Sequence, residues 1–218
     1  MLLEYGQQQN QDNETNHYSK PNETSDRIDL MSTLLITWHA FFDPYVSGRF
    51  ESYFTDNRGG KNLMLNPMIF TESTGISKTF WDEETRDWIA SFGFSVRQSI
   101  DSNYPINLDG GFGDHNVLDG GLQLQSEMTT PIAKDRIQLA TKLTLYQALL
   151  NSESDDLEGE INGDYWRAID LDWETSLTAN ITRLVMVNLK FRLLYDKEID
   201  LGGRLRQALS AGLTYSFI

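Results

Sequence analysis

The chain has 218 residues, a formal net charge of −14 and no cysteine, so a disulfide framework and a thiolate metal site are excluded. Its acidity argues against nucleic acid as a partner, because phosphate binding needs clustered Lys and Arg. Aromatics at 11% argue against disorder over the whole length, and no run approaches the ~18–20 apolar residues of a spanning helix.

Taken in chain order, period two dominates, which is a strand pattern. Residues 2–8 read as the end of a strand. A second strand is predicted over 28–42, with Ile28, Leu30, Leu34, Ile36, Trp38 and Phe42 on one face. A third covers 45–55, where Val46, Phe50 and Phe54 alternate with Arg49, Glu51 and Tyr53. The segment 62–73 is read as a strand made irregular by Pro67. In 86–101, Trp88, Phe92, Phe94, Val96 and Ile100 alternate with Ser91, Gly93, Ser95 and Arg97. Strands follow at 118–131, 136–150, 164–181, 185–195 and 203–217. The last three are the cleanest. Leu171, Trp173 and Leu177 oppose Asp170, Asp172 and Glu174; Val187, Leu189 and Phe191 oppose Asn188, Lys190 and Arg192; Leu205, Leu209 and Leu213 oppose Arg204, Arg206 and Ser210.

Several of these segments exceed the ~9–11 residues of a tilted membrane strand, and the usual ~5–6 of a soluble one. The predicted connections 43–44, 132–135 and 182–184 are short and fall on one side. Those at 9–27, 102–117 and 151–163 are long, those at 56–61 and 196–202 are intermediate, and 74–85 has no clear reading. Membrane barrels show this asymmetry. The pattern predicts a single all-β domain over 1–218, an antiparallel up-and-down transmembrane barrel of about ten strands, with a polar lumen and an apolar outer face.

The C-terminal run Ser210-Ala211-Gly212-Leu213-Thr214-Tyr215-Ser216-Phe217-Ile218 resembles the β-signal of outer-membrane barrels, with Ser210, Gly212, Tyr215 and Phe217 in its places and Ile218 as a departure. With the long alternating strands and YDKEIDLGG before the last of them, the chain resembles the uncharacterised outer-membrane β-barrel families of Gram-negative bacteria. That resemblance implies location in the bacterial outer membrane, lipid as a partner, and recognition of the C-terminal strand by the barrel-assembly machinery. It implies architecture and no activity. The opening MLLEYGQQQN has no basic or apolar signal region, so missing N-terminal sequence is expected.

Asp170, Asp172 and Glu174 form an acidic column that reads either as a cation-binding pore lining or acid–base pair, or as lumen residues neutralised by neighbours. The second is preferred, because Lys190, Arg192, Arg204 and Arg206 occupy the polar faces of the next two strands. Antiparallel counting from the turn sets Glu174 opposite Arg192 and Asp172 diagonal to it. The runs 109–114 and 119–121 lack calcium-loop spacing and read as acidic loops. His17, His39 and His115 are scattered and no GxSxG occurs, so neither an enzyme nor a cofactor is expected. Trp38, Trp88, Trp173, Tyr165, Tyr195, Tyr215 and Phe217 are candidates for interfacial aromatic girdles. About ten strands make a narrow lumen that side chains largely fill. The roles left open are a small porin-like channel or a structural or surface component. The alternative is a soluble lipocalin-like barrel with an apolar cavity.

Overall fold

The structure, a computed structural model, describes residues 2–8, 22–38, 40–57, 62–105, 111–159, 162–182, 185–198 and 201–213. These form an antiparallel all-β fold whose only helix, among the described residues, is a single 3-10 turn, Tyr165–Arg167. No helix is long and apolar enough to cross a membrane, a fact that says nothing about strands. The strands are β1 (Leu2–Gln8), β2 (Asn22–Leu35), β3 (Asp43–Ser52), β4 (Thr55–Asp56), β5 (Leu63–Met64), β6 (Met68–Asp82), β7 (Asp87–Pro105), β8 (Phe112–Ile132), β9 (Ile137–Asn151), β10 (Ile169–Asn180), β11 (Val185–Tyr195) and β12 (Arg204–Leu213). One sheet of ten strands runs in the order β1-β2-β3-β6-β7-β8-β9-β10-β11-β12, and β4 with β5 forms a separate small hairpin.

The antiparallel expectation holds, but the closed barrel does not. The order ends at β1 and β12, and no ladder between them occurs among the described residues. Among the described residues β1, with seven, is paired along its length with β2 alone, from Leu2↔Asp29 to Gln8↔Asn22.

Several element bounds also differ from the sequence reading. β2 stops at Leu35, so 36–42 is a connection, whose neck is fixed by Ile36 N–H donating to the Pro44 carbonyl at 2.9 Å. β6 extends through most of 74–85, with 15 residues, and turns into β7 through 83–86, where Glu83 and Arg86 exchange backbone hydrogen bonds. The alternation of β6 is hidden in sequence because Lys78 occupies its apolar parity. Its ammonium lies 3.3 Å from the centre of the Phe41 ring and donates to the Phe41 carbonyl at 3.1 Å, which makes the charge tolerable there. β10 begins at Ile169 rather than 164, since Tyr165 and Trp166 belong to the 3-10 turn. Tyr165 is therefore not a strand girdle residue.

With these bounds the connections 83–86, 133–136 and 181–184 are short and fall on one side, whereas 36–42, on that same side, is no shorter than 106–111 on the other; 9–21, 53–67, 152–168 and 196–203 are longer.

The chain forms two compact units: 1–34 with 47–72 and 96–118, and 35–46 with 73–95 and 119–218. β3, β6, β7 and β8 each contribute residues to both units, and all of β2 but Leu35 belongs to the first.

Candidate functional site

Alternation along the strands gives each unit one polar and one apolar face, and the polar face is the buried one. In the second unit Ser73, Ser77, Ser95, Asp119, Gln123 and Gln125 are buried, with Ser95 0% and Gln123 6% exposed. The opposite parity of β7 and β8 is open: Phe92 is 48% exposed, Phe94 40%, Leu122 38% and Leu124 37%. In the first unit Ser47, Asp56, Asn66, Asp101 and Asn103 are buried while Leu30, Leu34 and Phe70 are exposed. A water-soluble fold has the reverse distribution.

The buried polar groups are hydrogen-bonded to one another, as burial demands. Ser73 Oγ lies 2.8 Å from Ser95 Oγ and donates to Gln123 Oε1 at 2.8 Å, which links β6, β7 and β8. Three glycines sit on this face where neighbouring backbones come unusually close. A Cβ on Gly75 would lie 2.3 Å from the Phe92 carbonyl oxygen, one on Gly93 2.2 Å from that of Thr74, and one on Gly121 2.0 Å from that of Gln147. Only glycine fits there, and such positions mark sharp bends of a sheet toward the face that lacks side chains. A bulge at Gly120/Gly121 accompanies the last of them.

Across β8 to β12 the ladders align a row of charge: Glu127↔Lys142, Lys142↔Glu174, Glu174↔Arg192 and Arg192↔Arg206. The sign alternates over the first four residues of the row, then two cations meet. Lys142 pairs with Glu127 at 2.8 Å. Arg192 instead reaches the diagonal neighbour Asp172 with both guanidinium branches, at 2.9 and 2.7 Å, the geometry that suits a fork against a carboxylate. Among the described residues no ion pair joins Glu174 to Arg192, although the register sets them opposite. Asp170 lies opposite Tyr146. Lys190 lies opposite Ser176 and Ala208 and is exposed, as are Arg204 and Arg206. Asn188 donates to both Ser176 Oγ and Thr178 Oγ1 at 2.7 Å.

In the first unit Arg27 and Arg49 interlock with Asp29 and Glu51 over N–O distances of 2.6 to 3.1 Å, all four side chains being at most 24% exposed. Nearby on the chain, the Asn66 amide donates to Asp56 at 2.6 Å and Asp101 at 2.8 Å, and its carbonyl accepts the Ser102 N–H at 2.9 Å. The sequence reading missed both groups, because the partners lie far apart along the chain and the signal is only an Arg or Asp at inward parity.

The apolar face satisfies its few polar atoms locally. Trp173 Nε1 donates to Thr141 Oγ1 at 3.0 Å, Thr141 Oγ1 is 2.9 Å from Thr175 Oγ1, and Trp88 Nε1 donates to Ser126 at 3.1 Å. Around the 83–86 turn, Phe80 of β6 stacks on Trp88 of β7 at 4.2 Å and Arg86 lies over Trp81.

Of the C-terminal signal, Ser210 and Gly212 belong to β12, opposite Asn188 and Met186, whereas Tyr215 and Phe217 lie outside the described residues, as do His17, His39, Asp109 and Gly110. His115 stacks on Tyr104 at 3.9 Å. Among the described residues no group of three or more His, Asp or Glu is arranged to hold a metal ion. Compared with known proteins, the chain matches no family model and no curated protein.

Proposed function

We propose that this chain is an outer-membrane β-barrel protein of a Gram-negative bacterium, with its apolar face against lipid and its polar face lining a narrow, charge-paired interior. The observation that carries the reading is the inverted burial: Ser, Gln, Asn and Asp are covered while Phe, Leu and Trp of the alternate parity are open. Lipid removes the cost of that exposure and imposes the pairing seen on the few outward hydroxyl and indole groups. The one-sided short connections and the glycine bends toward the polar face support it. The lipid reading requires every strand edge in the membrane to be paired, so β1 and β12 must there meet each other or another strand. Recognition of the C-terminal strand by the barrel-assembly machinery belongs to the same reading.

The role we favour is a narrow channel or a structural component rather than a wide diffusion pore, because the polar face is crossed by bonded charges. A lipocalin-like cavity would cover Leu and Phe and leave the charged face wet, the opposite of what the side chains do. Membrane fractionation tests the proposal. The protein should remain with membranes through carbonate and urea washes, leave only with detergent, and migrate differently on gels before and after boiling. Recovery as a monodisperse, folded species in buffer alone would overturn it.

A further inference from the structure

The most apolar buried cluster of the second unit lies on the polar side of the sheet. Tyr146 and Ala148 share the parity of Lys142 and Thr144 and stand opposite Gln123 and Gly121. They are buried against Trp166, with Leu157 packed beside them. Trp166 and Leu157 are not strand residues; both come from the long connection 152–168. Apolar side chains on a polar face have no partner within the sheet, so here the connection supplies it.

The connection is built for this. Leu157 N–H donates to the Glu153 carbonyl at 3.0 Å, and Ala168 N–H to the Tyr165 carbonyl at 3.0 Å, closing a turn at each end. Inside the second turn the indole of Trp166 points to the sheet, while Arg167 lies over that indole at 4.8 Å and pairs with Asp164 at 3.2 Å. On the sheet, the Tyr146 hydroxyl donates to the Asp119 carboxylate of β8, which fixes the ring that Trp166 covers.

We propose that the described parts of this connection, 152–159 and 162–168, form a lid, docked by Trp166, that shuts the Asp119–Tyr146 stretch of the polar face against solutes. It deepens the channel reading by naming what closes one end of the polar face, but the docking itself does not depend on lipid. In that reading, release of Trp166 from Tyr146 and Ala148 is the opening step. Asp164 and Arg167 are exposed and paired with each other within the connection, so the seat on the sheet rests on Trp166 and Leu157.

The absence of native cysteine makes the test direct. Ala148→Cys is introduced alone and together with Trp166→Ala, and the rate of labelling by a small polar maleimide is measured on protein folded in detergent micelles. Local opening exposes a site in proportion to the population of the open form, so the rate should rise at least about tenfold when Trp166 is removed. Lys190→Cys, exposed on the same face of β11, should label at one rate in both backgrounds. Equal rates at position 148 would overturn the lid. Should Ala148→Cys fail to fold, hydrogen exchange on the unmodified sequence reads the same question. The amides of Arg167 and Ala168 should be protected with Trp166 present and lose protection in Trp166→Ala, and exchange at unstructured-peptide rates in both would overturn the proposal. Failure of the protein to insert into membranes would refute the membrane reading while leaving these outcomes intact.

Discussion

The two units solve the same problem, a polar face out of water, with different chemistry. The first uses charge: Arg27, Asp29, Arg49 and Glu51 form one four-membered network, and Asp56, Asn66 and Asp101 another set of bonds. The second uses hydroxyls and amides where it is most buried, at Ser73, Ser95 and Gln123, adds glycines where backbones crowd, and spreads its charges along a more open row. Their apolar faces differ as well. In the second unit the outward parity of β7 reads Trp88, Ala90, Phe92, Phe94, and that of β8 includes Leu122 and Leu124. Within the first unit the same parities mix Gln98, Ser102, Asp114 and Asn116, where the Gln98 amide meets Asn116 at 3.4 Å, with Val96, Ile100, Tyr104 and Leu118. β7 and β8, at 19 and 21 residues, are about twice the ~9–11 a membrane crossing needs. On the membrane reading proposed above, the comparison teaches that the second unit's parts of β7 and β8 carry the more uniformly apolar outer face, while the first unit's parts of these two strands mix apolar with polar residues.

The largest way to break this comparison is at a glycine. Gly93→Val would drive a side chain into the Thr74 carbonyl, which is backbone and cannot step aside. The expected loss is at least about 3 kcal/mol, the upper end of overpacking, and it should show as failure to refold or a large drop in the urea midpoint.

Next come paired outward substitutions. Leu122→Arg should destabilise protein folded in vesicles by roughly 2–4 kcal/mol, the mid-bilayer cost of arginine, whereas Gln98→Arg should stay within about 0.5 kcal/mol. Equal effects at the two positions would erase the distinction between the units.

Arg49→Met removes the cation that binds both Asp29 and Glu51. Breaking a buried pair costs ~3–5 kcal/mol, but these groups retain some solvent, so about 2 kcal/mol is expected from chemical unfolding.

The smallest effect separates the two carboxylates of β10. Glu174→Lys would set a third cation between Lys142 and Arg192 and should cost about 1 kcal/mol. Glu174→Ala should cost less than about 0.5 kcal/mol, because Arg192 is held by Asp172 rather than by Glu174.

How much of this was legible follows from what encodes it. The β10–β11 register could be counted from the turn, since Ile181 N–H meets the Val185 carbonyl at 2.9 Å and fixes every pair above it, including Glu174↔Arg192. The bonding partner could not be counted, because Arg192 is long enough to choose the diagonal Asp172. β6 was obscured by Lys78, whose compensation comes from Phe41 in another part of the chain. Gly93 looked like an ordinary small residue on a polar face and Gly75 fell in the stretch 74–85 that had no clear reading, since nothing local announces that two backbones converge there. Trp166 read as part of a strand because it precedes the alternating run of β10, and only the fold brings Tyr146 and Ala148 to it. The closing of the sheet was expected from strand number and alternation, which set neither the partner of β1 nor that of β12.

The central claim is that the alternate parity of the second unit touches lipid. It is tested most directly with single-tryptophan versions retaining Trp173 or Trp166 alone, the other four being phenylalanine, folded into vesicles whose acyl chains carry bromine. Trp173, outward and half exposed, should be strongly quenched, and Trp166, buried against Tyr146 and Ala148, should be nearly unaffected. Quenching of Trp166 with Trp173 spared, or no quenching of either, would contradict the account.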